Sequence, residues 1–275
     1  FGAQRKPALE LMGYKIDAAA DINMRALVYD WFDYIFKGAK KPDILKGQLN
    51  YEVMDGNEWR YANSLETMNK DTLTFYLNTV KQQKIQQLSQ QALAKKNFTS
   101  QTIDFKNRTS ENNYFTPFIL LDSLSASNGL VFETAPFESA FIISGSFLGN
   151  LFCSINKKDI DVSIAFYEHK ADGSYFYLTR YLGRASYAKG NTKRELLLPD
   201  TETSIPFDNV RMVSKKILKG SSLVIVLNVN KHPYEVINYG SGKEVNEETI
   251  KDAGEALRIK WFNTSYIKVP GNQGP

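Results

Sequence analysis

The side chains in this sequence best suited to nucleophilic or proton-transfer chemistry are two histidines, His169 and His232, and one cysteine, Cys153. Neither histidine stands in HExxH, nor at a spacing from Cys or carboxylates that makes a zinc site. His169 precedes the turn Ala171-Asp172-Gly173-Ser174, and His232 falls at a strand end in Asn230-Lys231-His232-Pro233. Both are expected on the surface. Gly145-Ser146-Phe147-Leu148-Gly149 surrounds a serine with glycines but lacks the GxSxG spacing of a nucleophile elbow. Tyr239-Gly240-Ser241-Gly242-Lys243-Glu244 has the look of a phosphate loop. It fails the test, because Ile237 takes the place of the first required Gly and Glu244 replaces the Ser/Thr that would hold magnesium. A flexible loop is the better reading. Asp159 and Asp161 could touch calcium, although solvation at a strand start is preferred. Asn97-Phe98-Thr99, Asn107-Arg108-Thr109 and Asn263-Thr264-Ser265 match the short glycosylation acceptor pattern. Cys153 has no partner for an intramolecular disulfide and lies in the apolar run Phe147 to Ile155, so it reads as a small buried hydrophobe. No catalytic residue, metal ligand or cofactor follows from these patterns, and substrate-binding residues stay unassigned.

The elements that would position these groups are mostly strands. From Asp159 to Tyr187 the chain writes a long hairpin. Ile160, Val162, Ile164 and Phe166 alternate with Asp161, Ser163 and Ala165, an Asp-Gly turn follows, and Tyr175 to Leu182 returns. A hairpin with so apolar a face must cover a second sheet. Further strands are expected at Leu49 to Val53, Glu58 to Arg60, Leu73 to Leu77, Ile103 to Phe105, Leu130 to Thr134, Ala140 to Ser144 and Phe147 to Ile155. The set is completed by Lys193 to Leu198, Arg211 to Lys215, Ser222 to Asn228, Leu257 to Phe262 and Tyr266 to Val269. Leu223 to Leu227 is apolar on both faces and should be central. Lys81 to Lys96 fits either a weakly amphipathic helix or an extended surface insertion. The tail Gly271 to Pro275 should fray. The fold class is mainly β, a jelly-roll-like antiparallel β-sandwich.

One stretch differs. Ile22, Ala26, Leu27, Trp31, Tyr34 and Ile35 recur at three- and four-residue steps, predicting a helix over Ile22 to Lys37. Asp21 or Asn23 can cap its start, and Gly38 with Pro42 marks its stop. With Trp31, Phe32 and Phe36 it carries too much apolar surface to stand free in water. Its cover lies either on the sandwich or in a portion upstream of Phe1. The chain opens Phe1-Gly2-Ala3-Gln4 without Met, as expected of a fragment or processed product.

Composition bounds the function classes. At 275 residues, 43% hydrophobic and 13% aromatic, the chain can bury a sizeable core, and 15 Tyr with 17 Phe favour sheet. A formal charge of +4 is spread along the sequence rather than gathered in a stripe, which argues against nucleic acid. No run approaches the ~18 apolar residues of a membrane span. The location follows only from what precedes Phe1: periplasmic or secreted with a signal peptide, otherwise cytoplasmic.

The order of segments carries a resemblance. Trp31-Phe32-Asp33-Tyr34-Ile35-Phe36-Lys37-Gly38 followed by Leu49-Asn50-Tyr51-Glu52-Val53-Met54-Asp55-Gly56-Asn57-Glu58-Trp59-Arg60 resembles a junction in one group of serine hydrolases. These are the CocE/NonD-type enzymes: X-prolyl dipeptidyl-peptidases, cocaine esterases and glutaryl acylases. Leu130-Val131-Phe132-Glu133-Thr134-Ala135-Pro136-Phe137 and the hairpin block from Asp161 to Tyr187 are similar to that family's segments in the same order. The resemblance implies a parent enzyme with an α/β-hydrolase domain bearing a Ser-His-Asp triad and a C-terminal jelly roll. Residues 1–46 would then be the end of the hydrolase domain, with Ile22 to Lys37 its last helix, and residues 47–275 the jelly roll. None of the triad matches a position here, so no catalytic residue is carried over. The implied partner is the missing α/β-hydrolase portion, with a homo-oligomer also possible. Asp55 stands where the family usually has Gly. A second reading, from another class, is a free-standing carbohydrate-binding jelly roll using Tyr175, Tyr177 and Tyr181 as a stacking platform.

Overall fold

A computed structural model describes residues 10–79, 84–107, 118–208, 210–232 and 234–274. The short strands β1 (Glu10–Leu11) and β2 (Tyr14–Lys15) pair, and a 3-10 turn at Ala18–Ala20 leads into the helix α1 (Met24–Lys37). The Asn23 side chain accepts from Ala26 N at 3.0 Å, and Gly38 closes the helix in the left-handed region at φ 68°. Both caps are those expected from the sequence. Next, β3 (Leu49–Val53) and β4 (Glu58–Ala62) form a separate hairpin.

The remaining strands are β5 (Asp71–Asn78), β6 (Ile85–Ser89), β7 (Phe98–Ile103), β8 (Leu120–Leu121), β9 (Leu130–Thr134), β10 (Phe141–Gly145), β11 (Leu148–Ile155), β12 (Asp161–His169) and β13 (Tyr175–Arg184). After them come β14 (Thr203–Phe207), β15 (Val213–Ile217), β16 (Ser222–Val229), β17 (Leu257–Phe262) and β18 (Tyr266–Gln273). These strands form one continuous sheet that folds over its own apolar face as a β-sandwich. One half holds β9, β16, β12, β13 and β8, and the other holds β7, β17, β11, β18 and β5. Phe147 and Phe166 stack across the middle at 4.4 Å between ring centroids. β16 is buried at every position between β9 and β12, as its two-sided apolar sequence requires. The break between β17 and β18 is bridged by Ser265, whose Oγ accepts from Phe152 N at 2.8 Å and so keeps the β11 edge satisfied.

Several boundaries differ from the sequence reading. Within Lys81 to Lys96 the described part is not a helix: a strand comes first, and residues 90–96 after it lie exposed. β6 joins the two halves, pairing antiparallel with β5 and parallel with β9, and Leu88 enters the core. Lys193 to Leu198 is irregular; Leu197 N donates to Lys158 O and Glu195 N to Ser186 O, so side-chain burial there comes without a ladder. The strand expected at Ile103 to Phe105 lies earlier, at β7, and that expected at Arg211 to Lys215 lies later, at β15. β14, not expected, pairs with β11. The tail is not frayed through Gln273: Phe141 pairs with Gln273, and Gly274 N donates to Ala140 O. Phe1 and Pro275 lie outside the described residues.

Candidate functional site

The first feature with functional content is α1 itself. No residue of the helix is buried. Phe36 is 75% exposed, Tyr29 60% and Met24 58%, with Trp31, Phe32 and Ile35 also open to solvent. Trp31 and Phe32 meet edge to face at 5.1 Å, and Phe32 stacks on Phe36 at 5.9 Å. Between this helix and the linker lies a groove of ≈ 590 Å³, lined by Leu27, Val28, Trp31, Phe32, Tyr34 and Leu45 among others. The sandwich is therefore not the cover that the sequence called for. A side chain of this size gains about 1.5–3 kcal/mol on burial, and soluble chains seldom leave so many together in water.

The second feature is a buried charge cluster where α1's arm meets the sandwich. Lys215, on β15, is fully buried. Its Nζ lies 2.5 Å from Asp55 Oδ2 and 2.8 Å from Glu168 Oε2, and 4.4 Å from the centre of the Phe176 ring. Lys170 adds a second cation 3.4 Å from Asp55. Burial alone would raise the Asp55 carboxyl, but Lys215 and Lys170 outweigh it and hold the group below its ordinary value. Asp55 has φ 57°, the left-handed region that Gly takes freely and that Asp tolerates.

Above the cluster, the arm from Tyr14 to Ala20 is clasped to the β3–β4 hairpin. Trp59 Nε1 donates to Ala19 O at 2.7 Å and Ala19 N to Asn57 Oδ1 at 2.8 Å. Asn57 N donates to Asp17 Oδ2, and Asp55 N to the Tyr14 hydroxyl, both at 3.3 Å. Tyr14 meets Phe176 edge to face at 5.1 Å. Burial, with Asp55 beside it, pushes the Tyr14 phenol up. The Glu52 carboxyl is pushed up to about 7 by burial, with the Asp17 carboxyl beside it. The hairpin in turn is held to the sandwich by Met54 N to Ser214 O, Lys216 N to Met54 O and Ser214 Oγ to Glu52 O.

The residues singled out in the sequence do not converge. His169 is half-buried, stacked on Tyr175 at 4.3 Å with Nδ1 2.7 Å from Glu133. His232, expected on the surface, is 2% exposed, and its Nδ1 accepts from Tyr234 N. Cys153 is buried in the main core, which pushes its thiol up to about 12. Asp159 and Asp161 are buried, with protein donors on their carboxylates, rather than solvated at a strand start. Asp159 accepts from Ser186 N and Oγ and from Arg194, while Asp161 takes a two-pronged pair from Arg184 and a bond from Asn238. Ser146 follows Gly145 in the turn from β10 to β11. The 239–244 loop is tied down, because the Glu248 carboxylate takes Tyr239 N, Ser241 N and the Ser241 hydroxyl, occupying the donors a phosphate would need. Asn263 is buried with its amide on Lys95 O, which closes that acceptor site; Asn97 is exposed, and Arg108 and Thr109 lie outside the described residues.

The three tyrosines of the carbohydrate reading do not lie on one common face. Tyr175 and Tyr177 pack on the smaller cluster around Tyr167, whereas Tyr181 packs on the main core and lies 5.0 Å from Phe207. The charge cluster was missed by sequence reasoning. Lys215 and Glu168 sit on strands as ordinary polar residues would, and the departure at Asp55 was the one signal pointing toward it.

With this geometry in place, residues 45–266 match a family model described as the X-Pro dipeptidyl-peptidase C-terminal non-catalytic domain. No curated protein matches the chain. Among solved structures, an aminopeptidase from a marine sediment archaeon, Thaumarchaeota archaeon, aligns at TM-score 0.74 and 17% identity, covering 90% of this chain and 43% of that one. An α-amino acid ester hydrolase aligns at TM-score 0.75 and 15% identity, covering 93% and 47%. A CocE/NonD family hydrolase from Staphylococcus aureus aligns at 0.63 and 13%, covering 90% and 45%. At these identities the likeness is one of fold. The chain spans less than half the length of each.

Proposed function

The chain belongs to the family of the X-Pro dipeptidyl-peptidase C-terminal non-catalytic domain, and we propose from that premise that it is the accessory sandwich of a CocE/NonD-type serine hydrolase. In this reading α1 is the last helix of an α/β-hydrolase portion of the same protein, with the domain boundary near residue 46. That portion covers Trp31, Phe32 and Phe36, and the sandwich helps wall the substrate cleft. The exposed apolar face of α1 is the observation that carries the reading. A seryl nucleophile, with His as proton relay and backbone N–H groups facing the oxyanion, would lie in the hydrolase portion. Substrates would be amides or esters, from Xaa-Pro peptides to acyl amides and aryl esters.

The test uses the purified chain and the hydrolase portion of the same protein. The chain alone is expected to show no turnover of an aryl ester or an Xaa-Pro anilide. It is expected to co-elute with the hydrolase portion, and Trp31→Asp with Phe36→Asp should abolish co-elution while shifting the chain's own stability by no more than about 0.5 kcal/mol, as at exposed sites generally. Turnover by the chain alone that disappears in Ser146→Ala, or co-elution unaffected by the α1 variants, would overturn the reading.

A further inference from the structure

We propose that the groove between the β3–β4 hairpin and the end of β18 is a carbohydrate-binding site for a neutral oligosaccharide of pyranose units. The groove encloses ≈ 500 Å³, the size of a small-molecule site, and three aromatic side chains line it, Tyr51, Trp59 and Tyr61. Its polar lining includes Arg60, Asp71, Asn272 and Gln273. A pyranose presents two kinds of surface. Its C–H faces lie against aromatic rings, and its hydroxyls, each both donor and acceptor, suit planar amide, carboxylate and guanidinium groups. The groove supplies a partner for each.

The walls are built before any ligand arrives. Tyr51 and Arg60 lie opposite each other across β3 and β4. After Ala62 the chain turns at Ser64, whose N donates to Thr67 Oγ1 at 3.0 Å, and carries the buried Met68 into the lining. The Tyr51 hydroxyl and Asn272 Nδ2 both donate to Met68 O, at 3.5 and 3.2 Å, and Lys70 N donates to Asn272 Oδ1 at 3.0 Å. Trp59 is fixed by its bond to Ala19 O. Hairpin, crossing segment and β18 are thus tied together, so little ordering is left for binding to impose. Tyr61, 58% exposed with Lys46 Nζ 6.0 Å from its ring centre, and the exposed Gln273 offer a ring and an amide to a ligand. The charges balance. Glu58 Oε1 lies 2.8 Å from both Nε and Nη2 of Arg60, and Lys70 adjoins Asp71. A groove so neutralised has no field with which to gather a phosphate or a polyanion, and the favoured ligand is uncharged.

This groove shares no lining residue with the one beside α1, so the proposal does not rest on the docking reading. It is tested by native affinity electrophoresis of the 275-residue chain in gels holding amylopectin, xylan, galactomannan or hydroxyethylcellulose, followed by calorimetric titration with the oligosaccharide of the polymer that retards it. At least one of these neutral polymers should retard the chain, with an affinity that is the same at low and high salt. Tyr61→Ala should weaken binding by about tenfold, the loss of one good ring contact. Gln273→Ala should weaken it as well, and Trp31→Asp on α1 should leave it unchanged. No retardation by any of these polymers, or retardation untouched by both groove variants, would overturn the proposal. So would binding of pectate alone that salt abolishes, which makes the groove a charge site, or binding of poly-L-proline in place of a sugar, which assigns it to peptide. Failure of the docking reading would show separately, as co-elution indifferent to Trp31 and Phe36.

Discussion

Replacing Lys215 with methionine is the sharpest probe of how the hairpin is fixed to the sandwich. Lys215→Met keeps the apolar stem against Phe176 and removes only the ammonium. Its loss strands the fully buried Glu168, which was 2.8 Å from Nζ, and leaves Asp55, which was 2.5 Å away, with Lys170 at 3.4 Å. Breaking a buried pair by deleting one partner costs about 3–5 kcal/mol, because the remaining charge is left in a medium that cannot solvate it. An unfolding entropy of about 2.1 cal/mol/K per residue turns that cost into a Tm lowered by roughly 5–9 °C for a chain of this length. The pH dependence separates this cause from lost packing. In wild type Asp55 is held below its ordinary value, so its stabilisation is present above that value and lost as pH falls through the depressed one. In Lys215→Met a fully buried carboxylate must be kept charged without its ammonium, so stability should fall as pH rises from 5 to 8. Thermal and urea unfolding across that range measure both effects. Adding Glu168→Gln should restore part of the loss. A variant within 1 kcal/mol of wild type at pH 8, or one with the wild-type slope against pH, would refute the reasoning.

Two further outcomes follow from the core. Cys153, buried with its thiol pushed up to about 12, should not react with a disulfide reagent at pH 8 in the native chain and should yield one equivalent once guanidinium unfolds it. A Cβ at Gly183 would lie 1.9 Å from the Tyr181 hydroxyl. Gly183→Ala should therefore drive that ring off Phe207 and cost about 1–3 kcal/mol in a urea melt, with Tyr181→Val in the same chain relieving the clash.

The strands whose sequences alternate or run apolar were legible: the β12–β13 hairpin, β16 as a central strand, and the capped helix all stand where the residue pattern puts them. What was misread has a common cause. β6, with Gln86 and Gln87 between Ile85 and Leu88, buries only Leu88 fully, so it looks like surface although its backbone joins the two halves. Lys193 to Leu198 shows the reverse, an alternating pattern whose Leu197 is buried by a loop lying across a strand end. His232 and the pair Asp159 and Asp161 were taken as surface groups because a polar residue in sequence carries no mark of its partners. Burial there rests on Asn230, Ser186, Arg184, Arg194 and Asn238, which lie between 2 and 77 positions away.

Asp55 ties these scales together. At φ 57° a glycine would be unstrained, and most side chains would add a steric cost of about 1–2 kcal/mol. Aspartate is among the few that tolerate the conformation, and here its carboxylate also meets Lys215 and Lys170. Lys215 in turn lies between Asp55 on the hairpin and Glu168 on β12, so the turn is clamped from the sandwich side. On the other side the Asp55 amide donates to Tyr14, which brings in the arm. Asp55, at a left-handed turn, thus connects the sandwich, the hairpin and the arm of α1. The placement of α1 consequently depends on a charge balance two elements away from it.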